Sequence, residues 1–204
     1  MSILDKVVAA VVPEPTAEER AECRRKARAL SGGSGWLAQV LDHHEQVDAA
    51  FEAVRAAADA ASRRTAQQWL ATLLTGHSLA EEAVLYPAMA ITDHKAHSSE
   101  AFVEQSGAKV QVAWLDELEP MSKDYLDKLD HLQSAVTMHV HREESDWFPE
   151  LHRTGDATVQ AKLSRRYQEQ FERYMGSDGA NGSAGKTFES AVSSPAQSSV
   201  SRAF

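Results

Sequence analysis

A single cysteine, Cys23, stands in a chain of 204 residues. That excludes an intrachain disulfide framework and any multi-thiolate metal site. Stability must come from a buried core, which a chain of this length supplies unaided. Long apolar runs are missing as well, so no stretch reads as a membrane span. The opening MSILDKVVAAVVPEP has a short apolar stretch that follows Asp5 and stops at prolines, and no signal peptide is expected there. A reducing, cytoplasmic setting is the expectation. An excess of basic residues is the third absence. Residues 1–35 carry five acids and six bases, and residues 176–204 carry two of each. Of the 30 acids and 21 bases in all, this leaves 23 and 13 between them, a net of −10. Phosphate binding needs a basic face, so nucleic acid is excluded as a partner. An acidic middle suits a cation site, although most such carboxylates belong to a solvated surface.

Alternating β-branched runs are also scarce. Ala, Leu, Glu and Gln dominate instead, and the segment between the ends reads as helix. Thr16 and Glu19 form a T-x-x-E capping box ahead of an alanine-rich helix that ends at SGGSG, residues 31–35, and is expected on the outside of the domain. Core helices are predicted at about 36–60, 63–91, 97–118 and 122–152, with a shorter one at about 156–174. Pro87 is expected to bend or end the second, and Ser122 to cap the fourth. Short loops between long helices imply an all-α, antiparallel up-down-up-down four-helix bundle. The domain plan is an N-terminal extension over 1–35, the bundle with its fifth helix over 36–175, and a Gly/Ser/Ala-rich low-complexity tail over 176–204.

One phrase is written twice. HSLAEEAVLYPAM starts at His77 and HVHREESDWFPEL starts at His139. Each has His, then Glu-Glu four and five places on, then an aromatic residue and Pro. Residues four apart share a helix face, so His77 points with Glu81 and His139 with Glu143. Imidazole beside carboxylate suits iron, manganese or zinc. Two such arms on facing helices make a two-metal site in which a carboxylate can bridge both ions. One His-x-x-x-Glu alone would be an ordinary helical pair; the doubling with its matched ending sets these four residues apart.

Two other helices must complete the shell. Helix one offers His44, which shares a stripe with Val47 and Phe51, while His43 lies about 100° round the helix. His44 is the expected ligand, with His43 the alternative. Asp42 and Glu45 read as solvated, or as partners holding a ligand imidazole. Helix three has no histidine in its middle. Glu104 shares a face with Ala108, Leu115 and Leu118 and is the expected donor; Gln105, at the margin, could coordinate or hydrogen-bond a bound oxygen species. His94, His97, His131, His141 and His152 read as surface or capping residues. Trp69, Leu70, Leu73, Leu74, Leu85, Tyr86, Trp114, Leu126, Leu129, Trp147 and Phe148 read as core. The Tyr86 phenol, one turn past Glu81, could approach a ferric ion, but packing is the favoured reading.

These residues resemble the bacterial hemerythrin-like, HHE cation-binding domain family. The resemblance covers about residues 36–153: Asp-His-His with the downstream Val and Phe, then His-x-x-x-Glu-Glu ending in Tyr-Pro, then His-x-x-x-Glu-Glu ending in Phe-Pro. It implies a four-helix bundle around a non-haem di-iron centre with oxo, hydroxo or carboxylate bridges. An open position would take dioxygen, peroxide or nitric oxide. His44, His77, Glu81, His139 and Glu143 fall on the family's ligand positions. Helix three departs, since the family usually shows Glu-His where this chain has Glu104-Gln105. A carboxylate in place of a neutral imidazole would favour the ferric state and hinder release of dioxygen. The expected function is therefore binding or reaction with oxygen or peroxide in oxidative-stress or iron handling, rather than carriage. The alternatives are a sensor of iron, oxygen or nitric oxide acting through a protein partner, and a zinc-only or metal-free structural bundle.

Overall fold

The computed structural model describes residues 13–92 and 95–176. The low-complexity tail from 177 onward, the first twelve residues and His94 lie outside the described residues. Within them the chain is helical without strands. The elements are α1 (Ala17–Ser31), α2 (Gly35–Ala56), α3 (Ala60–Ala80), α4 (Tyr86–Ile91), α5 (Lys95–Asp116), α6 (Lys123–Arg142), α7 (Phe148–Thr154) and α8 (Ala157–Met175). A five-residue π-helical turn joins α3 to α4 (Glu81–Leu85), and another joins α6 to α7 (Glu143–Trp147). The result is a helical bundle: α2 packs on α3, α5 on α6, and α8 lies against both α3 and α2.

Local chemistry sets the boundaries. The Thr16 hydroxyl accepts from the Glu19 amide at 3.2 Å and the Glu19 carboxylate accepts from the Thr16 amide at 2.8 Å, closing the expected capping box. Gly32 ends α1 at φ 61°, a left-handed conformation that favours glycine. Helix α2 stops at Ala56, short of the predicted residue 60, because Asp59 takes the Ser62 amide at 2.9 Å and starts a new helix. Ser122 caps α6 as expected, accepting from Tyr125 at 3.1 Å. Arg63 was not anticipated. It is buried in the first turn of α3 and donates to the carbonyls of Val54, Ala57 and Pro120, satisfying groups left open at and beyond helix ends.

Pro87 and Pro149, which close the two copies of the phrase, do not stop the helical path. Each lacks the amide that would bond one turn back, and its ring crowds the carbonyl there. The chain widens instead: the Tyr86 amide donates to the Glu81 carbonyl and the Phe148 amide to the Glu143 carbonyl, five residues back in both cases. Both π turns begin at the glutamate of the repeated phrase.

Two apolar clusters fill the interior. One gathers Trp36, Leu37, Leu41, Tyr86, Phe148 and Tyr167; the other gathers Val47, Phe51, Leu70, Leu73, Leu129 and Leu132. Along α2 the buried residue between Leu41 and Val47 is His44, and along α3 His77 is buried between Leu73 and Ala80. A polar centre thus lies between two dry cores. Expected core and surface assignments change at several positions, Trp114 and His97 among them. Trp114 is 53% exposed at the edge of α5, with the ammonium of Lys128 on α6 4.2 Å from its ring centre. His97 is half-buried and stacks on Trp147.

Candidate metal centre

The repeated phrase brings its arms together. His77 Nε2 lies 3.3 Å from Glu81 Oε2, and His139 Nε2 lies 3.2 Å from Glu143 Oε1. His44, the inward member of the pair on α2, points its Nε2 at Glu143 Oε2 (3.3 Å) and Glu81 Oε1 (4.0 Å). Four buried residues, His44, His77, Glu81 and Glu143, offer donor atoms that all lie within 4.8 Å of one another. Glu143 faces two ways, with Oε2 toward His44 and Oε1 toward His139.

Three atoms of this cluster, His44 Nε2, Glu81 Oε1 and Glu143 Oε2, are buried with no hydrogen-bond partner. Buried polar atoms are ordinarily paired, and leaving one unpaired costs about 1–3 kcal/mol. Lone-pair donors converging on one point, unpaired with protein, fit a cation. The residues present therefore suit the metal that the donor set implies.

The outer nitrogen of each imidazole is held by a hydrogen-bonding partner. His44 Nδ1 meets Glu144 Oε1 at 2.9 Å, and Glu144 also accepts from Arg24 Nε at 2.7 Å. His139 Nδ1 meets Glu104 Oε2 at 2.8 Å, and the other oxygen of Glu104 pairs with Arg142. His77 Nδ1 meets the Tyr167 hydroxyl at 3.2 Å, which also lies 2.9 Å from His43 Nδ1. A hydrogen bond on Nδ1 fixes the ring and turns the Nε2 lone pair inward.

Glu104 therefore stands elsewhere than the sequence suggests. It was expected among the metal donors; Arg142 draws it outward, and it holds the back of His139 instead. Gln105 takes the inner place on α5, only 4% exposed, and donates from its amide to Glu81 Oε2 at 2.5 Å. His43 turns away from the cluster, as its place on the helix implies, and stacks on Phe171 with 3.8 Å between ring centres. Glu144, Arg24 and Tyr167 escaped sequence reasoning. The signal for Glu144 was present in the second glutamate of the doubled phrase. Arg24 and Tyr167 lie far from it in sequence, and only packing brings them in.

Charge in the cluster is strongly coupled. Burial pushes His77 well below the ordinary imidazole range, and neighbouring His44 adds to this. Burial opposes protonation of His44 too, but Glu143 and Glu144 outweigh it and hold that imidazole up to about 9. At His139 burial is again overcome, by Glu143 and Glu104, and the ring is held up to about 10. Burial would raise Glu143, yet His139 and His44 keep it well below the usual carboxylate range. Glu81 is pushed well above that range by burial and by Glu143. The two adjacent buried carboxylates, with His44 and His77, form a donor set that could hold a metal ion.

A small cavity of about 20 Å³ abuts the cluster, bordered by His77, Gln105 and His139 and otherwise lined mostly by apolar side chains such as Leu74, Ala108 and Val136. That is room for a molecule about the size of water.

The comparisons agree with this geometry. The family model described as the hemerythrin HHE cation-binding domain matches residues 37–151, more than half of the chain. Neither a curated protein nor a solved structure gives a match.

Proposed function

The chain belongs to the hemerythrin HHE cation-binding domain family, and on that premise we propose that it is a non-haem di-iron protein that binds or reacts with dioxygen or peroxide, serving oxidative-stress or iron handling. The observation that carries this is the two-sided Glu143, whose oxygens divide between His44 and His139. In this reading His44, His77, Glu81 and Glu143 hold one cation, and His139 with the two carboxylates holds the second. Imidazole and carboxylate donors suit iron, with manganese and zinc as competitors. Iron held by these residues would supply one-electron redox chemistry toward dioxygen, peroxide or nitric oxide.

The protein's own residues do the rest. Glu144, Glu104 and Tyr167 fix three imidazoles with their Nε2 atoms inward, so the ligating atoms are in position before a cation displaces their protons. The carboxylates behind His44 and His139 make those rings stronger donors, which favours the higher oxidation state and reaction over reversible carriage. The small, mostly apolar cavity beside the cluster supports a small oxygen or nitrogen species as the ligand.

Metal analysis with an absorption spectrum tests this. Two irons per chain, near-ultraviolet absorption from ferric ions sharing bridging ligands, and oxidation of the reduced protein by peroxide are expected. Zinc alone, or no metal, removes the redox reading. A sensor role has one observation in its favour: Glu144 is shared between His44 and Arg24, tying α1 to the centre. Under that reading, metal removal makes residues 17–31 more sensitive to protease, and identical digestion of loaded and stripped protein counts against it.

A further inference from the structure

The second cation is short of donors, because α5 offers only an amide where an imidazole or carboxylate is needed. Gln105 turns its NH₂ toward Glu81, and its Oε1 is buried without a hydrogen-bond partner. Counting strong donors around that position gives His139, Glu143 and Glu81. A fourth oxygen stands among them. The Tyr86 hydroxyl lies 2.9 Å from Glu143 Oε1, 3.1 Å from His139 Nε2 and 3.2 Å from Glu81 Oε2.

From this geometry we propose that Tyr86 is itself a ligand, its phenolic oxygen completing the shell of the second cation in place of a donor from α5. The inference rests on the di-iron reading above and goes beyond it by assigning the missing donor.

Three observations support it. First, one imidazole and two carboxylates converge on this oxygen, and these are the same three groups that would hold the second cation. Donor atoms bonded at about 2.1 Å to one cation stand about 3 Å apart along the edges of its coordination polyhedron. The spacings of 2.9–3.2 Å match that edge. Second, packing does not need the hydroxyl. The matching position in the second phrase is Phe148, which fills an equivalent buried place edge-on against Trp36, with ring centres 5.6 Å apart. Tyr86 packs edge-on against Phe102 in the same manner, at 5.2 Å, and differs by an oxygen aimed into the cluster. Third, the π turn supplies the reach. Five residues along a regular α-helix rotate about 140° off the starting face. The wider turn over Glu81–Leu85 returns Tyr86 to the side of Glu81, so both oxygens serve one site.

Bond formation is simple to balance. The phenolic oxygen bonds to iron, its proton leaves to solvent, and no electron moves.

The test is the visible spectrum and iron content of the diferric protein, wild type against Tyr86→Phe, with Tyr125→Phe as a control at a buried tyrosine in the other apolar cluster. Wild type and Tyr125→Phe should show a visible phenolate-to-iron band, and Tyr86→Phe should lose it. The variant's second iron should also bind more weakly, by more than the roughly 10–100-fold that loss of a supporting hydrogen bond costs. Should Tyr86→Phe not fold, resonance Raman of wild type excited in the visible band should show tyrosinate ring vibrations. A two-iron wild type with no such band or vibrations overturns the assignment, as does a Tyr86→Phe protein with both irons and an unchanged spectrum. A wild type that takes up no iron overturns the di-iron reading and this inference together.

Discussion

Each site histidine is asked to do two things, offering one nitrogen inward while the other is gripped from behind. Removing the inward donor should cost a cation outright: His77→Ala and His139→Ala each lose at least one metal per chain, checked by elemental analysis of the folded variants. Full iron retention in both would end the ligand assignment. Weakening the grip should cost less. Glu104→Gln keeps a hydrogen-bond acceptor for His139 but removes the charge, and the cation held by His139 should weaken about 10–100-fold in a competition titration with a chelator. Protons compete for the same lone pairs. With His44 held up to about 9 and His139 up to about 10, both rings are protonated in the metal-free protein at neutral pH. Cation binding must then expel those protons, so affinity rises with pH toward that range and falls in acid. Calorimetry in buffers of different ionisation enthalpy should report net proton release at pH 7, and none released would contradict it. At this scale the sequence was legible wherever helical spacing decided the geometry, as for His77 with Glu81. It misled at Glu104 and Gln105. Adjacent residues differ by about 100° on the helix, and the pull of Arg142 from another helix chose between them.

At the scale of elements, the flanking helices are part of the centre. Helix α1 sends Arg24 to Glu144 and Asp48 (2.7 and 2.6 Å), and α8 sends Tyr167 to His77 and His43. Both lie outside the span matched by the family model. Glu144 is 2% exposed, so without Arg24 a charge is left buried with only His44 to meet it. Arg24→Met should therefore destabilise the metal-free protein by about 3 kcal/mol in urea unfolding. The double variant Arg24→Met, Glu144→Gln should recover much of that loss, because the uncompensated charge is gone. A single variant as stable as wild type would show that α1 only rests on the surface. The sequence had placed α1 on the outside, which its exposed face satisfies. It contained no sign that one side chain reaches through to the cluster, since a partner 120 residues away leaves no periodic trace. The π turns were half legible: the prolines announced a disturbance, but whether a helix breaks or widens depends on what is packed against it.

For the whole molecule, the polar centre between two apolar cores makes stability depend on cations. A ligand that binds only the folded state at a hundred times its dissociation constant adds about 2.7 kcal/mol. For a chain of this size that shifts the melting temperature by roughly 5–10 °C. Chelation should lower the melting temperature of the iron-loaded protein by that much, and re-addition of iron should restore it; a melt indifferent to metal would mean that the cluster's charges are already balanced by the protein. Among the described residues no helix is long and apolar enough to cross a membrane. Composition and periodicity by themselves determined the helical class, the helix positions within a few residues, and the His-Glu arms, because each of these follows from spacing along one chain. The folded structure alone decided which of two adjacent side chains faces the cluster, who holds the far side of each imidazole, and where the Tyr86 oxygen comes to rest. Those choices turn on contacts between segments that meet only after packing, where a buried charge must find its partner and a proline must be accommodated.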